Sequence, residues 1–319
     1  MRFDSRGLVS TYLSQWMPSG DETYQKFGYF AGGGTTRSSG IDKFAFPLDT
    51  KSVLSATLTV AVRFSNSFSN SGVAGYVGGG TSASATLDGI DKITFPADTK
   101  SVLSAVLSAG TERLGGVANS SVAGYFGGGS NAGVNVSRID KITFPTDTKS
   151  TLSPTLTAAT NQCAGFANSS VAGYFAGGND STSYTDNIDK ITFPADTKST
   201  LSAKLTAVEA NVAGMANSGV AGYLAGGQSS SPTTDRIDKI TFTADTKSTL
   251  SAVLTAANAY AGSMADTGVA GYIGGGSGAS DFTGIDKITF PADTKSVLSA
   301  VLTTTGFQNN GAFADCGVF

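Results

Sequence analysis

The sequence predicts an all-β protein, a six-bladed β-propeller with four antiparallel strands per blade. Three observations carry that expectation. One passage recurs six times in 319 residues, marked by Tyr29, Tyr76, Tyr125, Tyr174, Tyr223 and Tyr272 at intervals of 47 and then 49 residues. Periods of roughly 40–50 residues are typical of propeller blades. Each passage holds four short β-rich runs and no apolar stripe of helical period, which sets aside a helical solenoid. A parallel β-helix would need shorter rungs and end caps. Finally, the strand that the first passage lacks is found at the C-terminal end, so the chain can close on itself.

Residues 1–26 stand outside the repeat as an arm, and residues 27–319 form the propeller. The arm holds Tyr12, Trp16 and Met17, candidates for docking on a larger assembly, followed by a turn at Pro18-Ser19-Gly20-Asp21. The second passage shows the blade plan. Residues 75–80 are an apolar run stopped by glycines, strand b. Residues 90–95 are rich in β-branched and aromatic side chains, strand c. Pro96-Ala97-Asp98-Thr99-Lys100 reads as a turn, because proline removes a ladder donor and aspartate bonds the backbone ahead. Residues 102–107 read as strand d, and residues 116–119 as strand a of the next blade. Eight positions before the tyrosine stand Phe68, Val117, Phe166, Met215 and Met264. The same pattern returns at Phe313, so about 310–318 should join the strands around Tyr29. That closure would remove two open sheet edges, which invite aggregation.

Residues repeated around a ring are expected to serve the blade. Strand a should lie nearest the axis, where Ala118, Ala167, Ala216 and Ala265 suit the crowding. Phe95, Phe144, Phe193, Phe242 and Phe290 are expected to pack between blades, with the leucines and valines of strand d further out. The Asp and Lys residues of the recurring IDK and DTK runs read as local turn bonds and surface ion pairs, each worth little. Asp98 would then cap its own hairpin. Cys163 and Cys316 fall on opposite blades, too far apart for a disulfide, so both should be free thiols.

Glycine pairs end strand b in every passage: Gly32-Gly33, Gly79-Gly80, Gly128-Gly129, Gly177-Gly178, Gly226-Gly227 and Gly275-Gly276. An Asp-containing c–d turn follows each. This resembles the kelch-type repeat over about 290 residues, with Leu54, Leu103, Leu152, Leu201, Leu250 and Leu298 near the place of the kelch tryptophan. The resemblance implies a propeller, commonly six-bladed. The wording FPADTKSTLSA is also similar to Gly- and Ser-rich kelch-like repeats in phage and marine viral proteins. The varied loops, the N-terminal arm, the missing signal peptide and the Gly/Ser/Thr-rich, cysteine-poor composition lead to the expectation of a virion component, tail- or capsid-associated, made in a host cytoplasm.

Composition narrows the function. There is no histidine, charged residues are 14% and the net charge is −3. The absence of a basic footprint argues against nucleic acid, and no apolar stretch is long enough to span a membrane. The first residues lack the apolar segment of a signal peptide. Without histidine the Ser-His-Asp triad and most catalytic metal sites are out of reach. The expectation is a non-enzymatic protein without a cofactor. Glycine pairs outside a strand–helix context do not suggest a nucleotide site.

Alternating strand directions place the b–c and d–a loops on one face and the a–b and c–d turns on the other. The second face is nearly identical in every passage, while the first differs in each. Varied loops on a rigid scaffold are where recognition is carried, and Tyr and Arg are favoured contact residues. The candidate partner-binding residues are Arg37, Arg63, Phe64, Arg113, Arg138, Tyr184, Arg236, Tyr260, Phe282 and Phe307. Oxygens of Asn179, Asp180 and Asp186 in one loop could hold calcium. The expected partners are other virion proteins, or a host-surface receptor or glycan. A stand-alone lectin-like or carbohydrate-active propeller and an intracellular kelch-like adaptor remain alternatives, and so does simple drift of the loops.

Overall fold

Each repeat folds into one four-stranded antiparallel sheet, and six such sheets surround a common axis. The structure, a computed structural model, describes residues 25–229, 232–303 and 311–317. The proposed docking arm with Tyr12, Trp16 and Met17, and the loop residue Phe307, lie outside them. Blade 1 is assembled from both ends of the chain. Its strand a is Gly311–Ala314, followed across the sheet by Lys26–Ala31, Ile41–Phe46 and Thr50–Val53. Tyr29 stands opposite Phe313 in that closing pair. The six a strands touch one another in an unbroken cycle about the axis.

Strand boundaries differ from the expectation in one respect. Strand d of blade 2 is Thr99–Val102 rather than 102–107, so Thr99 and Lys100 belong to the ladder and the turn is residues 95–98. The leucines after strand d pack inward, with Leu107 buried. Val53, Val102 and Val297, expected to pack between blades, instead face solvent from the outermost strand. Among the described residues no further blade strand covers that side.

Neighbouring blades are joined by a knob and a clamp. The knob is the side chain eight positions before each tyrosine, which sits where strand b of the next blade has glycine. A Cβ on Gly28, Gly75, Gly124, Gly173, Gly222 or Gly271 would lie 2.0–2.6 Å from Met264, Phe313, Phe68, Val117, Phe166 or Met215, respectively. Only glycine leaves the room. The clamp is the tyrosine itself. Each ring stacks on a phenylalanine of the next blade with centroids 4.7–5.5 Å apart: Tyr29 on Phe95, and so around to Tyr272 on Phe46. Each hydroxyl then donates to the aspartate three residues beyond that phenylalanine, at 2.7–2.9 Å. A lysine from strand c of the tyrosine's blade reaches the same carboxylate at 2.5–2.6 Å.

The charged pairs are local only in part: each DTK lysine lies 3.1–3.8 Å from the IDK aspartate of its own blade, but the aspartates also hold the neighbouring blades. Asp98 does not cap its own hairpin; it receives Tyr29 and Lys43 from the preceding blade. The aspartates of the IDK runs are buried. Each accepts the backbone N–H of a Ser or Thr following strand d of the preceding blade at 2.7–2.8 Å, and its hydroxyl too. Burial alone would raise the Asp140 carboxyl. Bonds from Ser108 and Thr151, with Arg138 nearby, more than offset that and hold it below its ordinary value. Every blade interface is thus pinned near both faces.

The a–b turns form a second ring around the axis on the uniform face. The Asn70 and Asn119 amide oxygens accept the N–H of Ser121 and Ser170, and Asn168 and Asn217 accept Gly219 and Gly268. The seam of the ring departs from this pattern, because aspartate replaces asparagine at Asp266 and Asp315. Asp266 pairs with Lys26 at 2.8 Å. Asp315 is 2% exposed, accepts Phe27 N–H with one oxygen and leaves the other without a partner. Burial pushes its carboxyl up from 3.8 to about 6. Both cysteines are free.

Three outcomes follow for folding. Gly124→Ala should destabilise by about 3 kcal/mol from overpacking against Phe68, and Phe68→Leu in the same chain should recover part of it, as a denaturant melt of the double variant would show. Tyr125→Phe should cost about 1.5–3 kcal/mol, the worth of a hydrogen bond to a charged acceptor. The folded form holds the Asp315 proton more tightly than the unfolded chain, so Asp315 withdraws stability as pH rises from about 4 to about 6. Asp315→Asn should remove that fall and stabilise at pH 7 by on the order of 1 kcal/mol; equal melts of the two proteins at pH 4 and pH 7 would contradict it.

Candidate functional site at the mouth of the central channel

Just before strand a, one register position recurs every 49 residues and keeps no common residue type: Phe64, Arg113, Gln162, Asn211 and Tyr260. All five have left-handed backbones, with φ between 57° and 66°. Such a φ is uncommon outside glycine and unfavourable for bulky side chains. The five are strung together across the blades. Arg113 N–H donates to the Phe64 carbonyl at 2.8 Å, Gln162 to Arg113 at 2.7 Å, Asn211 to Gln162 and Tyr260 to Asn211 at 3.0 Å. This chain of bonds rims the channel on the variable face.

The side chains converge over the axis. The Phe64 and Tyr260 rings lie 6.4 Å apart although their blades flank blade 1 on opposite sides. The guanidinium carbons of Arg63 and Arg113 lie 4.8 Å and 4.3 Å from the Phe64 ring centre. Beneath them is a cavity of about 40 Å³, lined by Ser65, Gln162 and Asn211 among others. Several polar atoms here are buried without a partner: Arg63 Nε, Arg113 Nε, Ser65 Oγ, and both amide atoms of Asn211. Ser65 is 1% and Asn211 4% exposed. Native interiors satisfy nearly all such groups. Tyr260 donates to Gln228 Oε1 at 3.2 Å, and burial pushes its hydroxyl up, with the Arg113 charge opposing. Glu112 lies 3.9 Å from Arg113 and also accepts from Thr81.

The other sequence candidates fall elsewhere on the same face. Arg37 donates to the Thr81 carbonyl at 3.1 Å. Arg138 braces Thr111 and Asp140 at 3.1 Å and 3.3 Å. Arg236 is paired with the buried Glu209, whose carboxyl burial raises while Arg236 lowers it. These three are engaged within the chain. Tyr184 pairs its backbone with Asn179 beside Tyr260. Phe282 lines a hollow of about 640 Å³ with Pro232, Thr233 and Gly278. The proposed calcium oxygens are turned into their own loop: Asn179 accepts Ser181 N–H, Asp180 accepts Thr182 and Ser183 N–H, and Asp186 pairs with Lys204 at 3.4 Å. Among the described residues no three of His, Cys, Asp or Glu gather into a metal-binding group. The sequence reading missed Gln162 and Asn211, whose only signal was their register with Phe64.

No protein-family model matches the chain, and no curated protein matches it in sequence. What stands is a six-bladed propeller of four-stranded antiparallel sheets, closed by its C-terminal strand.

The mouth keeps an unsatisfied amide where glycine would suit the backbone. Asn211→Gly should therefore hold or raise stability, by up to about 1 kcal/mol. A thermal melt showing a clear loss would mean that the Asn211 amide supports the fold.

Proposed function

We propose that this protein is a non-enzymatic binding propeller whose variable face recognises a macromolecular partner. The observation that carries the reading is the mouth, where strained backbone, unpartnered buried polar atoms and unlike side chains meet at one register position. The uniform face has left-handed aspartates too, at Asp49, Asp98 and their counterparts, but there one residue type recurs and its carboxylate is bonded to the neighbouring blade, whereas the mouth carries five unlike side chains. Strain and unmet polar groups tend to persist where function needs them. The aspartates of both recurring runs hold blades together, and Glu209 holds Arg236, so these carboxylates are committed to the fold.

The setting we propose is a virus particle, with the blade as a kelch-like unit. The support is the glycine pairs and the wording FPADTKSTLSA. Mass spectrometry of purified particles from the native source tests this, and finding the protein only outside particles would overturn it.

Exchange of surfaces tests the binding reading. Replacing 179–187 with the loop 81–89, together with Tyr260→Gly, should leave the melting transition within a few degrees and abolish capture of the partner. Replacing the exposed Val122, Val171 and Val220 of the uniform face with serine should leave capture intact. The reverse pattern would move recognition to the uniform face.

A further inference from the structure

We propose that the channel mouth takes the carboxylate of an acidic side chain, an Asp or Glu presented by a protein partner. This rests on the binding reading above and names the chemistry of its central contact. Arg63 and Arg113 are both laid against the Phe64 ring, so two guanidiniums are stacked on one side chain at the mouth. Cation–π stacking fixes guanidinium planes before a ligand arrives. Glu112, 3.9 Å from Arg113, is the carboxylate found beside the pair and is already bonded to Thr81. Neither Nε makes a hydrogen bond; Arg113 Nε faces Glu112 Oε1 at 3.9 Å, beyond hydrogen-bond reach, and among the described residues Arg63 Nε has no carboxylate paired with it. A carboxylate supplies what they lack and is matched in shape to the guanidinium fork.

The cavity below decides what carries the carboxylate. At about 40 Å³ it holds water-sized groups and not a ring. The Asn211 amide, 4% exposed and unpartnered at both atoms, lines it, and so does the Ser65 hydroxyl. A carboxylate on a flexible stem can descend to these groups. An acidic sugar has its carboxylate fixed to a pyranose ring, which would stop at the rim. Both faces of that rim are occupied: Phe64 is buried under the guanidiniums, and the Tyr260 hydroxyl is held by Gln228.

The test uses the full chain and nuclear magnetic resonance of Arg Nε–H and Asn side-chain amide signals. Propionate, the side chain of glutamate cut from its backbone, should shift the Arg63, Arg113 and Asn211 signals saturably. Propionamide should bind at least about tenfold more weakly, the worth of one charge-assisted contact. Arg63→Gln with Arg113→Gln should abolish the propionate response while the rest of the spectrum stays folded. Equal responses to propionate and propionamide, or a response that survives both substitutions, would overturn the proposal. So would a stronger response of Asn211 to glucuronate or to inorganic phosphate, which would assign the mouth to a glycan or a phosphorylated ligand. Partner capture that persists in the Arg63→Gln, Arg113→Gln protein would sink this inference and leave the variable-face reading standing.

Discussion

The grip of one blade on the next is the constraint from which the rest of the molecule follows. A tyrosine side chain leaves its own sheet, lays its ring on the neighbour's phenylalanine and ends on the neighbour's aspartate. A large residue from strand a fills the space that the neighbour's glycine leaves open. Ring and hydroxyl are two requirements met by one residue, and the phenylalanine and aspartate sit three positions apart in one turn. Stacking supplies apolar burial, and the buried oxygen then needs its acceptor, because an unmet hydroxyl there would cost free energy. Lysine neutralises the acceptor. No single repeat can make this contact alone, so the blades are stable only as a closed set. The sixth interface must join the last blade to the first, and Met264 against Gly28 together with Tyr272 against Asp49 builds it.

This grip also explains where the molecule is uniform and where it varies. Tyrosine, phenylalanine, aspartate and the strand-b glycine face a neighbour, so a change in one blade is felt by two. The b–c and d–a loops face solvent and are tied by short backbone links such as Arg63 with Thr81 and by side-chain bonds that differ from blade to blade. Their side chains can change without disturbing the ladders. Glycine pairs at the end of strand b make those links possible. Both members have positive φ, and a Cβ on Gly79 or Gly128 would strike the Thr111 or Thr160 carbonyl of the following loop. The scaffold therefore brings variable loops close to the axis while asking little of their composition.

Much of this was legible in the sequence. Period, strand number, closure by the C-terminal strand and the interblade role of phenylalanine all follow from spacing and residue type, because each repeats with the blade. The aspartates were misread for a definite reason. In DTK and IDK the charges are sequence neighbours, which suggests a local bond, yet Asp98 is held by Tyr29 and Lys43, 69 and 55 positions away. Sequence proximity carries no sign of which blade a side chain addresses. The end of strand d was misplaced because apolar residues 102–107 look like a strand, while pairing ends at Val102. At the mouth, Phe64, Arg113 and Tyr260 stood out as contact residues, but Gln162 and Asn211 did not. What unites the five is backbone conformation and position on the axis, and neither leaves a composition to read.

The channel mouth inverts the economy of the interfaces. Where blades meet, polar groups are paired, rings are stacked, and the residue types recur. At the mouth the backbone is left-handed under Phe, Arg, Gln, Asn and Tyr, although the same fold uses glycine at left-handed positions a few residues away. Two guanidiniums share one ring and an amide lies buried with nothing to bond. A sequence shaped only by folding would relieve each of these locally, with glycine at the turn and small apolar residues beneath it. Relief was within reach at every blade and was taken at none of the five. The carboxylate proposed for the mouth would complete those bonds together, entering along the axis.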